Sequence, residues 1–187
     1  MEEGIVGLKR GTVRIVPYNP TWAKMFEQEK QALEEMFGSR ILAVEHVGST
    51  AVPGLSAKPI IDINVAIASL TDVQDFIEKL PGLGYQYLPD RSYPTPEYAY
   101  RHFFTKGPES SRTHYLKLIE LHNKEWEDAI FFRDCMRRNK TARDNYAVLK
   151  RQLAEKYADD RASYTESKAE FIQDIIRQTR LEARKVS

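Results

Sequence analysis

Cysteine is almost absent from this chain. Its 187 residues contain one, Cys135. A lone thiol closes no internal disulfide, and a small secreted domain stapled by bridges would carry an even set. Cys135 lies in a helix-forming stretch and reads as a small apolar residue. An excess of charge is missing too: Lys and Arg number 28 against 27 Asp and Glu, a net charge of +1. Such balance exerts no global pull on nucleic acid or an anionic membrane. Long apolar runs are also lacking, and no stretch approaches the ~20 residues of a bilayer-spanning helix. Met1-Glu2-Glu3-Gly4 is acidic with no apolar run behind it, unlike a secretory leader. These absences predict a cytoplasmic protein with no membrane partner and with nucleic acid a disfavoured one.

What is present suffices for a core. Hydrophobic residues make up 42% and aromatics 11% of the chain, too apolar for a disordered protein. The length suits one domain over residues 1–187, sheet-rich from about 12 to 121 and helical from about 124 to 184. The β-branched run Val13–Val16 predicts a strand. Asn19-Pro20-Thr21 then starts a helix carrying Trp22, Met25, Phe26, Leu33, Met36 and Phe37 at helical spacing, and Gly38 ends it. Strands are predicted at 41–47, 60–67, 85–88, 98–106 and 114–121, with a helix at 71–80 and a loop from Pro89 to Glu97. The last two strands read as a hairpin. Helices are expected over 124–138, 142–157 and 162–184. The fold class is α+β: a mixed sheet flanked by helices, with a helical C-terminal segment.

The unusual stretch runs from His46 to Asn64, and the functional centre is expected there. A strand runs straight into Gly48-Ser49-Thr50. Glycine lets backbone approach a ligand closely, and successive N–H groups in such a turn form a concavity suited to phosphate. The Ser49 and Thr50 hydroxyls add hydrogen bonds, and Lys58 adds a positive charge. The spacing is not that of a Walker loop: Gly54 falls one residue too far from Gly48, and Leu55 stands where Lys is required. Nor is it the dinucleotide fingerprint. In the following strand Ile61, Ile63, Val65 and Ile67 share an apolar face, while Asp62 and Asn64 share the other. A carboxylate beside a phosphate site is repulsive unless a cation intervenes, and Mg²⁺ is the usual one.

Gly48-Ser49 followed by Asp62-Ile63-Asn64 on a strand resembles the nucleotidyltransferase superfamily typified by polymerase β. The longer run from His46 through Asp62 resembles the hallmark of the GrpB family, whose members are described as nucleotidyltransferase-like. The similarity extends to Val16-Pro17-Tyr18-Asn19-Pro20-Thr21-Trp22, to Phe131-Phe132-Arg133-Asp134, and to Tyr146, Leu149-Lys150, Leu153-Ala154, Tyr164, Lys168 and Phe171-Ile172. The resemblance implies a nucleotide site at the Gly48-Ser49 turn. An active member would hold two metal ions with Asp62 and further carboxylates, and would pass a nucleoside monophosphate from a nucleoside triphosphate to an acceptor. Here Asn64 stands at the second acidic position. Glu120 is the candidate third ligand, on a strand where Tyr115 and Lys117 occupy places that family members often give to histidine. The expected catalytic and Mg²⁺ set is therefore Asp62, Asn64 and Glu120.

Arg133, Lys150 and Lys168 are further candidates for nucleotide contact, against the plainer reading of solvated helix charges or, for Lys168, packing on Tyr164. His46 and His114 read as structural, and Phe103 and Phe104 as core aromatics. Two nucleotide-binding readings stand beside that of a purely structural interaction domain with no ligand at the loop. One is a Mg²⁺-dependent nucleotidyltransferase with an unknown acceptor. The other is a non-catalytic nucleotide-binding module with a degenerate metal site.

Overall fold

The structure, a computed structural model, describes residues 6–89 and 101–186, with side chains up to residue 181. Beyond Pro89, the expected loop to Glu97 and the start of the strand expected from Tyr98 lie outside the described residues. Strands β1 (Ala43–Val47), β2 (Ile61–Ile67), β3 (Tyr85–Tyr87), β4 (Arg101–Lys106) and β5 (His114–Glu120) form one sheet in the order β1-β2-β5-β4-β3. Strands β2 and β5 run parallel and the other neighbours antiparallel. This is the mixed sheet with flanking helices that the sequence predicts.

Strand β2 lies inside the sheet, between β1 and β5, so its alternation sorts residues to two covered faces. Ile61, Ile63, Val65 and Ile67 point to one side and are buried against α1 (Thr21–Phe37) and α2 (Gln74–Lys79). Trp22, Phe26, Leu33 and Phe37 form the stripe by which α1 meets them, and Phe76 and Leu80 complete the layer. The Asn19 carboxamide accepts from the Thr21 N–H at 2.9 Å at the start of α1. The opposite face carries Asp62, Asn64 and Ala66 and is covered by the C-terminal helices. These are α3 (Lys124–Arg138), α4 (Lys140–Lys156), α5 (Arg161–Ser167) and α6 (Ala169–Val186). Asn123 caps α3 through the Glu125 N–H, and Asn139 caps α4 through the Ala142 N–H.

Two expectations are corrected. Val13–Val16 forms no strand: Val16 makes a single bridge to Ala57, and Pro59, at the next hydrogen-bonding position of the partner segment, has no N–H to extend the ladder. The last expected helix is two. It breaks at Lys168, whose N–H reaches back to Thr165 O at 3.4 Å, and this break turns Lys168 toward the sheet.

Ile63 is fully buried and Leu42 is about half exposed, at 0% and 49%. Ile63→Ala should lower stability by about 3 kcal/mol in urea unfolding, whereas Leu42→Ala should stay within about 0.5 kcal/mol of the parent.

Candidate functional site

Several contacts hold the turn after β1. Gly48 has φ +71°, a conformation other residues adopt only with strain. A Cβ there would lie 2.6 Å from Asp62 Oδ2 and 3.2 Å from Asp62 Cγ, so only glycine lets the turn settle onto that carboxylate. The turn's own hydrogen bonds run from the Ala51 and Val52 N–H groups to Gly48 O and Ser49 O, leaving the Ser49 and Thr50 N–H groups outside them. Thr50 donates its hydroxyl to Ile60 O at 3.2 Å, which ties the two ends of the loop together. The hydroxyl proton is thereby used, so His46 Nε2, 3.0 Å away, donates to Thr50 Oγ1.

His46 is neutral in this setting. It stacks on Phe26 with ring centroids 4.8 Å apart, and burial, with Arg137 and Arg133 nearby, lowers its pKa to about 3. Burial likewise lowers His114 to about 4. Both histidines belong to the scaffold.

Beside the turn is a cavity of about 570 Å³. Gly48, Ser49, Thr50, Lys58, Asp62, Asn64, Lys150 and Lys168 all line it, so the structure brings together eight residues that the sequence singles out. Lys150 is 1% exposed. Its Nζ donates to Ser49 Oγ at 3.0 Å and to Ser56 O, and lies 4.7 Å from the centre of the Tyr146 ring. Burial, with Lys168 nearby, lowers its pKa to about 6; two hydrogen bonds are what a neutral amine donates. Lys58 and Lys168 are half-buried, and both ammonium groups lie over the Tyr164 ring, at 5.2 and 4.4 Å from its centre. Burial lowers Lys168 to about 8 and holds Lys58 well below the ordinary lysine range. Asp62 is pushed up by the same loss of water, against the pull of Lys58 and Lys117.

Ion pairs occupy part of the rim, which the exposed Glu166 also lines. Glu125 pairs with Lys117 at 2.6 Å and with Arg101. Asp128 pairs with Lys124 at 2.5 Å and Arg180 at 2.9 Å. Among the described residues, Lys58, Lys150 and Lys168 reach no carboxylate within ion-pair distance. With Glu125 and Asp128 held in their own pairs, three amines against Asp62 and the exposed Glu166 make this pocket electropositive whenever they are protonated.

Two expected site residues are elsewhere. Arg133 does not enter the cavity: it donates to His46 O at 2.9 Å, pairs with Glu45, and bonds Asp134 at 2.8 Å. With Arg137, which donates twice to Ala51 O at 3.0 and 2.8 Å, it clamps the turn to α3. Glu120 stands on the other face of the sheet, opposite Ile67, and accepts from the Leu70 N–H at 2.9 Å. Strand parity places it with His114, Leu116 and Leu118, so it cannot share an ion with Asp62.

The donor set therefore does not fit Mg²⁺. Among the described residues no three His, Cys, Asp or Glu side chains converge. Asp62 has an uncharged amide as its neighbour on the strand and lysines around it, where a hard cation needs more oxygen ligands and meets repulsion. Asn64 is fully buried, and neither amide atom has a partner, a cost of about 1–3 kcal/mol for each group left unpaired.

Sequence reasoning missed Tyr146 as a wall of the site, along with Lys117, Glu125 and Phe132, and missed Arg161, whose charge lies near Lys58 and Asp62. One signal was available. Tyr146 and Lys150, like Tyr164 and Lys168, are four residues apart, and both pairs place an ammonium over a ring. Arg161 carries no such mark; it donates to the Tyr115 hydroxyl at 2.6 Å.

Fold and pocket together define an α+β protein with a basic cleft on one face of a mixed sheet. Residues 12–178 match the family described as GrpB protein, and the chain belongs to that family. It is 36% identical over 173 residues to the glutamate-rich protein GrpB of Alkalihalophilus pseudofirmus, covering 92% of this chain and 98% of that one. The crystal structure of the conserved protein GrpB from Enterococcus faecalis superposes with a TM-score of 0.78 at 33% identity, covering 88% of this chain and 96% of that chain. A dephospho-CoA kinase of Mycolicibacterium paratuberculosis is 38% identical over 84 residues, 43% of this chain and 21% of the kinase. No described helix is long and apolar enough to cross a membrane.

Gly48→Ala should cost about 1–3 kcal/mol. Asp62→Ala in the same chain should recover part of that loss, and a double-mutant cycle in urea measures the coupling; zero coupling would mean that the turn does not rest on Asp62. A second expectation concerns acid. Both buried histidines have pKa values below the ordinary 6.5, so the unfolded chain binds more protons than the folded one below pH 6.5. Stability should be intact above that pH and fall as pH drops toward about 4, with a smaller fall in His46→Gln.

Proposed function

We propose that this protein binds a nucleotide by its phosphates in the Lys58–Lys150–Lys168 pocket, with ammonium groups and turn N–H groups doing what a resident divalent ion does elsewhere. The observation that carries this reading is the convergence of three lysines, one buried and two half-buried, with no ion-paired carboxylate among the described residues. Full charge on them is expensive without an anion, which is why burial lowers their pKa values. A polyphosphate supplies that anion, and each close ammonium–phosphate contact gains several kcal/mol at an effective dielectric of about 20. Ser49 and Thr50 line the same space, and the Ser49 hydroxyl meets Lys150 there. Nucleoside monophosphate transfer by two metals needs carboxylates that the described residues do not bring to Asp62. Of the two nucleotide-binding readings of the sequence, the geometry favours the non-catalytic module, with a nucleoside triphosphate as its partner.

The test is calorimetry with ATP. Binding should occur in EDTA and change little when Mg²⁺ is added. Asp62→Ala should tighten it about tenfold, since removing a carboxylate beside the phosphates removes repulsion. Lys150→Met should weaken it by at least about tenfold. Protonation adds a further signature. Lys150 and Lys168 have pKa values of about 6 and 8 in the free protein. A bound polyphosphate stabilises their charged forms and raises both, so binding at pH 7.5 should take up protons. The heat should therefore depend on the buffer's ionisation enthalpy. Binding that requires Mg²⁺ and disappears in Asp62→Ala would instead support the metal-dependent transferase.

A further inference from the structure

Asn64 poses a problem that the lysines do not solve. It lies two residues along β2 from Asp62, on the same face, and it lines the same cavity. Its neighbours across the sheet are Glu45 on β1 and Lys117 on β5. Both are already engaged, Glu45 by Arg133 and Lys117 by Glu125. The amide is completely buried, and its oxygen and nitrogen both lack partners. A buried carboxamide without partners gains nothing inside the protein that an apolar side chain would not supply better.

The cavity around it is chemically divided. Cations come from Lys58, Lys150 and Lys168, whereas Phe132 of α3 and Ile172 and Ile176 of α6 bring apolar surface. A ligand filling both regions has an anionic end and a flat or apolar body. What Asn64 lacks is a group offering one donor and one acceptor side by side, because a carboxamide presents the complementary pair. Nucleobases carry such edges: asparagine bonds adenine in this bidentate way, accepting from the exocyclic amine and donating to a ring nitrogen.

We propose that Asn64 reads the donor–acceptor edge of the nucleobase, and so makes this pocket selective for a whole nucleotide over its phosphates alone. The inference rests on the phosphate-binding reading of the lysines. It gives Asn64 a role in recognition where a metal-binding pocket would have used a second carboxylate.

Calorimetry with two probes tests it. Inorganic tripolyphosphate carries the phosphates without the nucleoside, and its higher charge biases the comparison against the proposal. The wild-type protein should bind ATP at least about tenfold more tightly than tripolyphosphate. In Asn64→Leu that ratio should fall to near one. If the leucine variant does not fold, Asn64→Asp, which keeps size and shape and removes the donor, carries the same test. Purine riboside triphosphate, which lacks the exocyclic amine, should bind the wild type several-fold more weakly than ATP. An ATP-to-tripolyphosphate ratio near one in the wild type overturns the inference and leaves the phosphate reading standing. A ratio retained in both Asn64 variants also overturns it. Failure of both probes to bind the wild type would overturn the phosphate reading itself.

Discussion

The pocket depends on the approach of the Gly48 backbone to the Asp62 carboxylate. A side chain at position 48 would collide with Asp62 Oδ2, so the turn after β1 closes onto β2 only because glycine is there. That contact sets the height of Ser49 and Thr50 above the sheet. Ser49 in turn receives Lys150 from α4, and the Thr50 hydroxyl anchors the far end of the loop at Ile60. Arg133 and Arg137 press the same turn against α3 through backbone oxygens. One short backbone segment thus aligns β1, β2, α3 and α4 around a single space.

Electrostatics then decides what that space can hold. Asp62 is the carboxylate on the pocket floor, and it is outnumbered. Glu125 and Asp128 are consumed by their own cations at the rim. The lysines meet this excess by resting on tyrosine rings and by giving up protons more readily than exposed lysines do. A site in that condition favours an incoming anion and resists an incoming cation. The nucleotidyltransferase arrangement has the opposite polarity, with a surplus of carboxylate that metal ions neutralise. The Gly-Ser turn is common to both, which is why the local motif alone points to either chemistry.

Much of this was legible before any coordinates. Period-two alternation assigned Asp62 and Asn64 to the face opposite Ile61 and Ile63, and the fold keeps that assignment because β2 is covered on both sides. The loop residues from Gly48 to Lys58 were identifiable because their neighbours in sequence are their neighbours in space. The errors came where a side chain crosses to another element. Arg133 was expected at phosphate and instead holds Glu45 and the His46 carbonyl, more than eighty residues away. Glu120 was expected at the metal although strand parity already grouped it with the core-facing His114 and Leu116. The break at Lys168 left no breaker residue in the sequence.

By itself, the sequence determined the strands of the sheet, though not the absence of one at Val13–Val16, together with their buried faces, the glycine turn and the residues that share it. These follow from backbone sterics and from the periodicity of apolar side chains, which act over a few residues. Only the tertiary structure decided the sign of the pocket. Charge at a site is a sum over groups that converge from the loop, α4 and the α5–α6 junction, minus those neutralised by partners such as Glu125. That subtraction depends on distances between elements, and no local pattern in the chain records them.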